Sequence, residues 1–513
     1  MNPLSGRSVV IVGAGFGGLS TAAYLADAGA DVTVLEKNER LGGRAAVLEA
    51  DGFRFDLGPS WYLMPDVFER FFGHFDRSPA AFYELEHLDP HYRLFFKENV
   101  GPAADGNPPG LEKDPDGDRI DITPDLEASI ELFEAYEDGA GDALERYLAK
   151  SKENYEIGME HFVYEDRSRI RDFLDPRLAK YARGLTLLGT MQDHVEKYFE
   201  HPKLRQIMQY TLVFLGGAPR NTPALYNLMS HVDFNLGVYY PEGGIGGVVD
   251  AMVTLNEDLG VEFVTDTPVT AVRGSRGNFT VHTADRDYRA DLVVSDADYA
   301  HTEQALLQPR DRQYDEAYWE SRTYAPSAFM LYLGVEGEVP ELAHHTLVLP
   351  GNWSDHFETI FDEPSWPEDP AYYVSVPSET DDTVAPDGHS ALVVLVPIAP
   401  GLDDDENARS AYREQILADL AEETGTDLRD RIVFERSVSV SDYRELYNSM
   451  QGTALGLAHT LRQTAVFRPG HRSSALDGLY FTGSYTTPGI GVPMTLISGE
   501  HTANYLLKDE TTS

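Results

Sequence analysis

The sequence predicts an α/β protein in which a parallel sheet is interleaved with a second, mixed sheet and a helical subdomain. Three observations predict this fold class. A strand, glycine loop, helix and second strand occupy residues 9–44, strand-like runs return at 261–295 and 478–483, and the segment 125–199 is rich in helix formers. Strands that alternate with helices are typical of a parallel sheet covered by helices.

The glycine loop is the strongest local signal. A β-type run, Val9–Val12, leads into Gly13-x-Gly15-x-x-Gly18 and then into a helical stretch, Leu19–Ala28. In this Rossmann-like arrangement Gly13 permits a tight turn, Gly15 lets the backbone approach a pyrophosphate, and Gly18 lets helix and strand pack closely. The N-terminus of the helix then offers unpaired N–H groups to the phosphates.

An acid follows the second strand of this unit. The run Val32–Leu35 ends at Glu36, eighteen residues after Gly18. A carboxylate at this place binds a ribose 2′-hydroxyl and repels a 2′-phosphate. The unit therefore predicts a dinucleotide other than NADP.

Composition limits the partners and the environment. The 513 residues contain 85 acidic and 41 basic side chains, and the formal net charge is −44. This charge argues against nucleic-acid binding, which requires a basic surface. The basic residues are 9 Lys and 32 Arg, and scarce lysine with dispersed acids favours a halophilic source, where salt screens self-repulsion. No cysteine occurs, so disulfides and thiolate metal sites are excluded.

The remaining elements follow from periodicity and turn residues. A short strand and turn at Gly52–Ser60 precedes a helix that starts at Asp66, and an exposed loop is expected at Asn99–Asp118. Further strands are expected at Tyr92–Phe96, Arg119–Ile122, Val261–Ala271, Phe279–Thr283, Tyr288–Ser295, Phe329–Leu333, Ala391–Val396 and 478–483, and a last helix at Pro493–Leu507.

Four segments carry a family resemblance along nearly the whole chain. Leu41-Gly42-Gly43-Arg44 resembles the double-glycine extension of FAD-dependent amine oxidases and desaturases, and Gly52–Phe72 resembles their Gly-Phe-x-Phe-Asp-x-Gly-Pro-Ser/Thr segment. Phe214–Met252 and Gly478–Ala503 resemble two further segments, of which the first is the more family-specific. The chain is thus similar to the carotenoid (phytoene) desaturase family of the FAD-dependent amine oxidase superfamily, of a haloarchaeal type.

The resemblance implies FAD as the cofactor and a set of residues that contact it. Gly483 would lie at the ribityl and pyrophosphate region, a helix from Pro493 would face the flavin, and Val269 would lie at the adenine. Asp296 would follow a strand that returns to the FAD. Routine strand and turn chemistry explains Val269 and Asp296 equally well. The expected FAD contacts are Gly13, Ala14, Gly15, Gly17, Gly18, Glu36, Lys37, Gly43, Arg44, Pro59, Ser60, Val269, Gly483, Gly491 and Val492.

The resemblance also implies an interleaved domain organisation. Residues 1–75, 241–305 and 471–513 would form the FAD-binding domain. Residues 76–240 would form the helical, membrane-facing substrate domain, and residues 306–470 the sheet of the substrate domain.

The implied reaction is desaturation of a carotenoid by hydride transfer to the flavin, with loss of a proton from the neighbouring carbon. The cofactor performs the oxidation, so no metal site or nucleophilic triad is needed, and none is evident. The family's polar pair near the substrate tunnel corresponds to Arg171 and Asp172, the candidate catalytic residues, although a solvated helix face also explains them. The pair His344-His345 is expected at the surface. Candidate tunnel walls are Trp61, Tyr62, Met64, Phe214, Leu215 and Tyr226.

The substrate implies a membrane partner. At about 0.8 kcal/mol for each buried CH₂, a C40 polyene does not leave a bilayer freely, so a cytoplasmic enzyme docked peripherally on the membrane surface is expected. Oxygen and a quinone both remain open as the electron acceptor.

Three alternatives stay open. Within the family, Pro223-Ala224-Leu225-Tyr226 and Ser484-Tyr485-Thr486-Thr487 slightly favour 3,4-desaturation for bacterioruberin-type pigments over the phytoene-to-lycopene step. An amine oxidase commonly needs a lysine near the flavin, whereas Lys508 is the only lysine of the C-terminal half. A prenyl-lipid carrier on the same fold would not need the intact glycine and Glu36 set.

Overall fold

The computed structural model describes residues 3–97, 119–165, 189–460 and 462–512, without the side chains of residues 214 and 215. The candidate pair Arg171 and Asp172 and the expected loop Asn99–Asp118 lie outside the described residues.

The described chain contains strands and helices in runs of different length. The strands are β1 Ser8–Val12, β2 Asp31–Leu35, β3 Val47–Ala50, β4 Phe53–Asp56, β5 Leu85–His87, β6 Tyr92–Phe96, β7 Arg119–Ile122, β8 Tyr239–Pro241, β9 Glu262–Val264, β10 Val269–Arg273, β11 Phe279–Thr283, β12 Asp287–Ala290, β13 Leu292–Ser295, β14 Ser327–Glu336, β15 His345–Leu349, β16 Tyr372–Ser375, β17 His389–Ile398, β18 Ile432–Val438 and β19 Leu479–Phe481. The helices are α1 Phe16–Asp27, α2 Pro65–His74, α3 Leu126–Tyr136, α4 Ala140–Gly158, α5 Met191–Val195, α6 Pro202–Ile207, α7 Thr211–Leu215, α8 Leu228–His231, α9 Ile245–Asp258, α10 Tyr299–His301, α11 Glu316–Glu320, α12 Trp353–Phe361, α13 Glu406–Thr424, α14 Val440–Tyr447 and α15 Val492–Thr512.

A five-stranded parallel sheet gathers strands from distant parts of the chain. Its order is β19-β13-β1-β2-β9, and every neighbouring pair is parallel. β1 and β13 are rich in β-branched residues and are almost fully buried, as expected for strands covered on both faces. Residues of α1, α2, α9 and α15 share one core with residues of β1, β2 and β13. The predicted α/β fold class is confirmed.

For two of the expected strands, the predicted extent was wrong. The run Val261–Ala271 divides into β9 of the parallel sheet and β10 of a three-stranded antiparallel sheet, β10-β11-β12. Asp266, with φ of 50°, turns the chain between them. The run Tyr288–Ser295 likewise divides into β12 and β13. Alternation along a sequence predicts extended backbone, but it does not specify which strand each segment will pair with.

A mixed sheet of seven strands forms the second layer, in the order β18-β14-β17-β16-β15-β6-β7. Its long central pair, β14 and β17, is buried along nearly its whole length and packs against Ile416, Leu417 and Leu420 of α13. His345 on β15 and the preceding His344 are buried, at 0% and 6% exposure. The expectation of surface positions was wrong, because β15 lies inside the sheet.

A helical layer covers one end of this sheet, as the sequence predicts. Phe133 of α3 and Leu144 and Tyr147 of α4 share a core with Leu94 of β6 and Leu347 of β15. In the part of the chain that the structure describes, no helix combines the length and apolar character needed to cross a membrane.

Asp56 joins two of the family-like segments. Its carboxylate accepts hydrogen bonds from the backbone N–H groups of Ile245 and Gly246, at 2.8 and 2.9 Å, so it binds the N-terminus of α9. Gly244 has φ of 76°, and a Cβ there would lie 2.4 Å from the Asp56 carboxylate. The turn Pro241-Glu242-Gly243-Gly244 therefore has a structural role, because it places the start of α9 on the Asp56 carboxylate.

Candidate active site

A cavity of about 840 Å³ runs from the carboxyl edge of the parallel sheet into an apolar region. This edge is where ligands bind in open parallel sheets. Among the expected FAD contacts, the wall contains Gly13, Ala14, Gly15, Gly17, Glu36, Lys37, Gly43, Arg44, Pro59, Ser60, Val269, Gly483, Gly491 and Val492.

The glycine loop has the conformation that close approach of a phosphate requires. Gly13 has φ of 99°, which favours glycine, and its N–H donates to Leu35 O at 2.8 Å. Gly15 is the N-cap residue of α1 and has no side chain with which to cap the helix. Gly18 is buried rather than in the cavity wall, and a Cβ there would lie 2.3 Å from Gly13 O. The three glycines thus take the separate roles expected from their spacing.

Glu36 is 4% exposed at the end of β2. One carboxylate oxygen accepts from Ala14 N at 2.9 Å, and the other accepts from Asn38 N at 2.9 Å and Asn38 Nδ2 at 3.0 Å. Burial raises the pKa of Glu36, and these hydrogen bonds oppose the rise. A carboxylate has about four acceptor sites, so the oriented group retains the capacity to accept hydroxyls of a ribose.

Arg44 approaches the loop from the short turn Gly43–Ala45. Its Nη2 donates to Ser449 Oγ at 2.8 Å, and its guanidinium lies 5.5 Å from the Tyr447 ring centroid. Its buried Nε has no hydrogen-bond partner among the described residues. A buried donor normally has a partner. Arg44 itself lines the cavity, so its guanidinium is a candidate to contact an anionic ligand.

The C-terminal segment closes the opposite side of the cavity. Gly483 has φ of 94°, and its N–H donates to Ser498 Oγ of α15 at 2.9 Å. α15 begins at Val492, one residue before the expected Pro493, and its first turn lies in the cavity wall. The helix N-terminus therefore faces the cavity, as the resemblance implies.

The far region of the cavity is apolar. Trp61, Met64 and Tyr226 lie in its wall, as expected. Tyr62 does not: it is buried against Phe68 and its hydroxyl lies 3.0 Å from that of Tyr83. Tyr62 was therefore wrongly expected in the tunnel, because it lies on the core side of the chain. The side chains of residues 214 and 215 and the pair Arg171 and Asp172 are outside the described part.

Comparison with known proteins identifies the family. The family model "flavin containing amine oxidoreductase" matches residues 16–507. The chain belongs to this family. A carotenoid 3,4-desaturase of Haloarcula japonica is 62% identical over 99% of this chain and all of the relative. A zeta-carotene-forming phytoene desaturase of Myxococcus xanthus is 33% identical over 96% of this chain and 92% of the relative. The predicted family is confirmed.

Two solved structures share the fold of this chain. A putrescine oxidase superposes with a TM-score of 0.60 at 18% identity, covering 98% of this chain and 99% of that one. An oxidoreductase from Methanosarcina mazei gives the same TM-score at 19% identity over 97% of this chain. Membership makes the protein an oxidoreductase with a flavin cofactor. The Haloarcula relative agrees with the halophilic source expected from the composition.

Two residues near the cavity, Arg468 and His459, were not identified by the sequence analysis. Arg468 is 5% exposed and donates to the carbonyl groups of Tyr485, Thr486 and Ser484. His459 Nε2 accepts from Ile490 N at 3.1 Å, and burial lowers its pKa well below the usual value, which keeps it neutral. Both residues bind the segment that closes the cavity. The sequence analysis missed them because isolated residues in loops give no periodic signal.

Asp233 was also missed. It lies in the π-helical turn Val232–Leu236 after α8, in the wall of the apolar region, and is 3% exposed. Its Oδ2 accepts from the Tyr92 hydroxyl at 2.9 Å, and Oδ1 has no partner among the described residues. Burial raises its pKa to about 7. An acid between the apolar residues Val232 and Phe234 was the available signal.

No group of three or more His, Cys, Asp or Glu residues suited to a metal ion occurs among the described residues. Lys37 is the only described lysine in the cavity wall, and its Nζ donates to the carbonyl of Glu445 at 2.5 Å.

Proposed function

We propose that the protein is a FAD-dependent carotenoid desaturase that introduces the 3,4 double bond into a C40–C50 polyene of the bacterioruberin type. The observation that carries this proposal is the full-length, 62% identity to the carotenoid 3,4-desaturase of Haloarcula japonica. The phytoene desaturases among the relatives are only about half as similar, at 33% and 31% identity.

The residues of the cavity fit FAD rather than a mononucleotide flavin. The glycine loop, Glu36 and the unpartnered Nε of Arg44 lie at the sheet edge, and they match the pyrophosphate and ribose of a dinucleotide. The N-terminus of α15 lies in the same wall, where a helix dipole favours negative charge. One cavity therefore offers contacts to both ends of FAD.

When bound, FAD would supply the two-electron acceptor that desaturation requires and that no side chain provides. The chain's own residues would position the substrate and exclude water. The apolar wall suits a polyene, which needs burial but few hydrogen bonds. Residues that contribute to it are Leu63, Met64, Met159, Leu225, Leu228, Met229 and Met330.

The cavity disfavours an amine oxidase of the common lysine-containing kind. The amine of Lys37 is bound to the carbonyl of Glu445, beside Glu36 at the nucleotide end. The intact Gly13, Gly15, Gly18 and Glu36 set likewise disfavours a carrier without a cofactor.

A membrane surface is the proposed source of the substrate. Phe467, 56% exposed, ends the 3₁₀ turn Ala465–Phe467, and Thr464 and Ala465 lie in the cavity wall. An exposed aromatic side chain beside an apolar cavity is suited to insertion among lipid acyl chains.

The decisive experiment uses the purified protein at about 1 M salt or more, where its charge is screened. Flavin released by acid is identified by chromatography, and the protein is then incubated with lycopene-type carotenoids or phytoene in liposomes. We expect FAD, a 3,4-desaturated product and no conversion of phytoene. Conversion of phytoene to lycopene would assign the earlier step, oxidation of an amine would assign an amine oxidase, and lack of flavin would support the carrier.

A further inference from the structure

Asp296 places a carboxyl group against Gly15, Gly17 and Gly483, which together form what we call the glycine cradle. A Cβ built on Gly15 would lie 2.6 Å from Asp296 Oδ2, and Cβ atoms on Gly17 and Gly483 would lie 2.5 and 2.7 Å from Oδ1. The carboxyl thus fills the space that these three glycines leave open. Asp296 directly follows β13, at the carboxyl edge of the parallel sheet.

This position lies at the N-terminus of α1, where the unpaired N–H groups of a helix can bind an anion. The helix has twelve residues and no acidic residue in its first turn, and its N-cap residue, Gly15, has no side chain. Burial raises the pKa of Asp296, and hydrogen bonds from the backbone N–H groups of Gly18 and Gly15 oppose that rise. The carboxyl therefore uses the same donors that a bound pyrophosphate needs.

Two anions at one helix N-terminus repel each other. Burial is the largest influence on Asp296 and raises its pKa to about 7, with a further rise from the nearby charge of Glu36 and an opposing effect from Arg44. Glu36 faces the cradle from the end of β2 and Arg44 from the turn Gly43–Ala45. A pyrophosphate would add further negative charge and favour the neutral acid still more strongly.

We propose that Asp296 couples cofactor binding to a proton: the dinucleotide binds when the Asp296 carboxyl is neutral, and the ionised carboxyl competes with the pyrophosphate. The proposal rests on the proposed dinucleotide function. It assigns Asp296 as a residue that controls cofactor affinity, in addition to the glycines and Glu36. The neutral acid can donate a hydrogen bond to a phosphate oxygen, which the ionised form cannot.

The test measures binding of FAD and of ADP-ribose to the full-length apoprotein between about pH 5.5 and 8.5 at constant high salt. ADP-ribose carries the same diphosphate diester without the flavin and without a phosphate monoester, which titrates near pH 6. We expect affinity to fall by about tenfold for each pH unit above 7, the slope for uptake of one proton. Calorimetry in buffers of different ionisation enthalpy should show that uptake directly.

Asp296→Asn removes the titration and keeps the size of the side chain. This variant should bind both ligands more tightly than the wild type at pH 8 and with little dependence on pH. Glu36→Gln should bind more weakly at every pH and keep the slope, which separates the two acids. Thermal unfolding of each variant at pH 8 monitors folding, and Asp296→Ser provides a second neutral residue if Asp296→Asn folds poorly.

The outcomes distinguish this inference from the proposed function. A flat pH profile for the wild type, or a slope that persists in the Asp296 variants, would overturn the coupling even in an active desaturase. A slope that depends on Asp296, in a protein without desaturase activity, would support the coupling and reject the proposed function. Binding of neither ligand at any pH would reject both.

Discussion

Among single residues, Asp233 combines a structural role with a position in the cavity wall. Its carboxyl accepts the Tyr92 hydroxyl at 2.9 Å, and the hydroxyl of Tyr210 also interacts with it. Asp233→Leu removes this acceptor in a buried setting, which typically costs about 1–3 kcal/mol. Asp233→Asn retains a carbonyl oxygen and should cost less. The free energies of unfolding of both variants at pH 7 test this prediction, and a leucine variant as stable as the wild type would contradict it.

Asp233 also predicts a pH dependence with a definite sign. Its pKa is raised to about 7 in the folded protein and is about 3.9 in an unfolded chain. The neutral acid is therefore favoured in the fold, and this contribution is fully present below pH 3.9 and is lost as the pH rises through 7. The stability of Asp233→Asn relative to the wild type should increase between pH 5 and 8, as measured by denaturant unfolding. A constant difference would show that Asp233 does not titrate in this range.

Among the secondary-structure elements, the packing of α1 against the C-terminal segment depends on Gly17. A Cβ at this position would lie 2.9 Å from Gly483 Cα and 2.5 Å from Asp296 Oδ1. Gly17→Ala should therefore abolish flavin retention, because the loop and the segment at Gly483 cannot both keep their places. The matched control is Gly73→Ala in α2, where a Cβ would meet nothing within 4 Å, and which should stabilise by about 0.5–1 kcal/mol. Flavin content and thermal unfolding measure both, and a Gly17→Ala protein with full flavin would refute this dependence.

The short turn Ala465–Phe467 is the element expected to enter the membrane. Phe467→Ser should weaken binding to liposomes at high salt by about tenfold or more, because burying a phenyl group contributes about 1.5–3 kcal/mol. Val433→Ser is the control: Val433 is also 56% exposed, but it lies on β18, the edge strand of the seven-stranded sheet, and outside the cavity wall. Liposome flotation compares the two, and equal retention would reject this turn as the docking element.

Sequence and structure agree best where the signal is local. The glycine loop, Glu36 and the strand Tyr92–Phe96 are observed as predicted because turn chemistry and periodicity act within a few residues. The division of Val261–Ala271 between two sheets depends on partners far along the chain, which periodicity does not encode. Asp233 and Arg468 likewise gain their importance from burial among distant segments.

For the whole molecule, composition can be read from the sequence, but the topology of the sheets cannot. The net charge of −44 follows from the sequence, whereas the order β19-β13-β1-β2-β9 becomes known only from the structure. This order brings Gly483 and Asp296 beside the loop at Gly13–Gly18, although they lie hundreds of residues away. The cavity is thus assembled by long-range pairing of strands, while the glycine loop at its sheet-edge end was evident from one short motif.

The charge predicts that the folded state requires salt. Folded proteins are stable by only about 5–15 kcal/mol, and repulsion among surplus acids acts over about 30 Å at 0.01 M salt but only about 3 Å at 1 M. The free energy of unfolding should therefore rise steeply with KCl, with loss of the fold near 0.01 M, as followed by circular dichroism. Sucrose stabilises compact states by exclusion without screening charge, so it should not replace KCl. Equal stability at low and high KCl would show that the acidic residues impose no net repulsion on this fold.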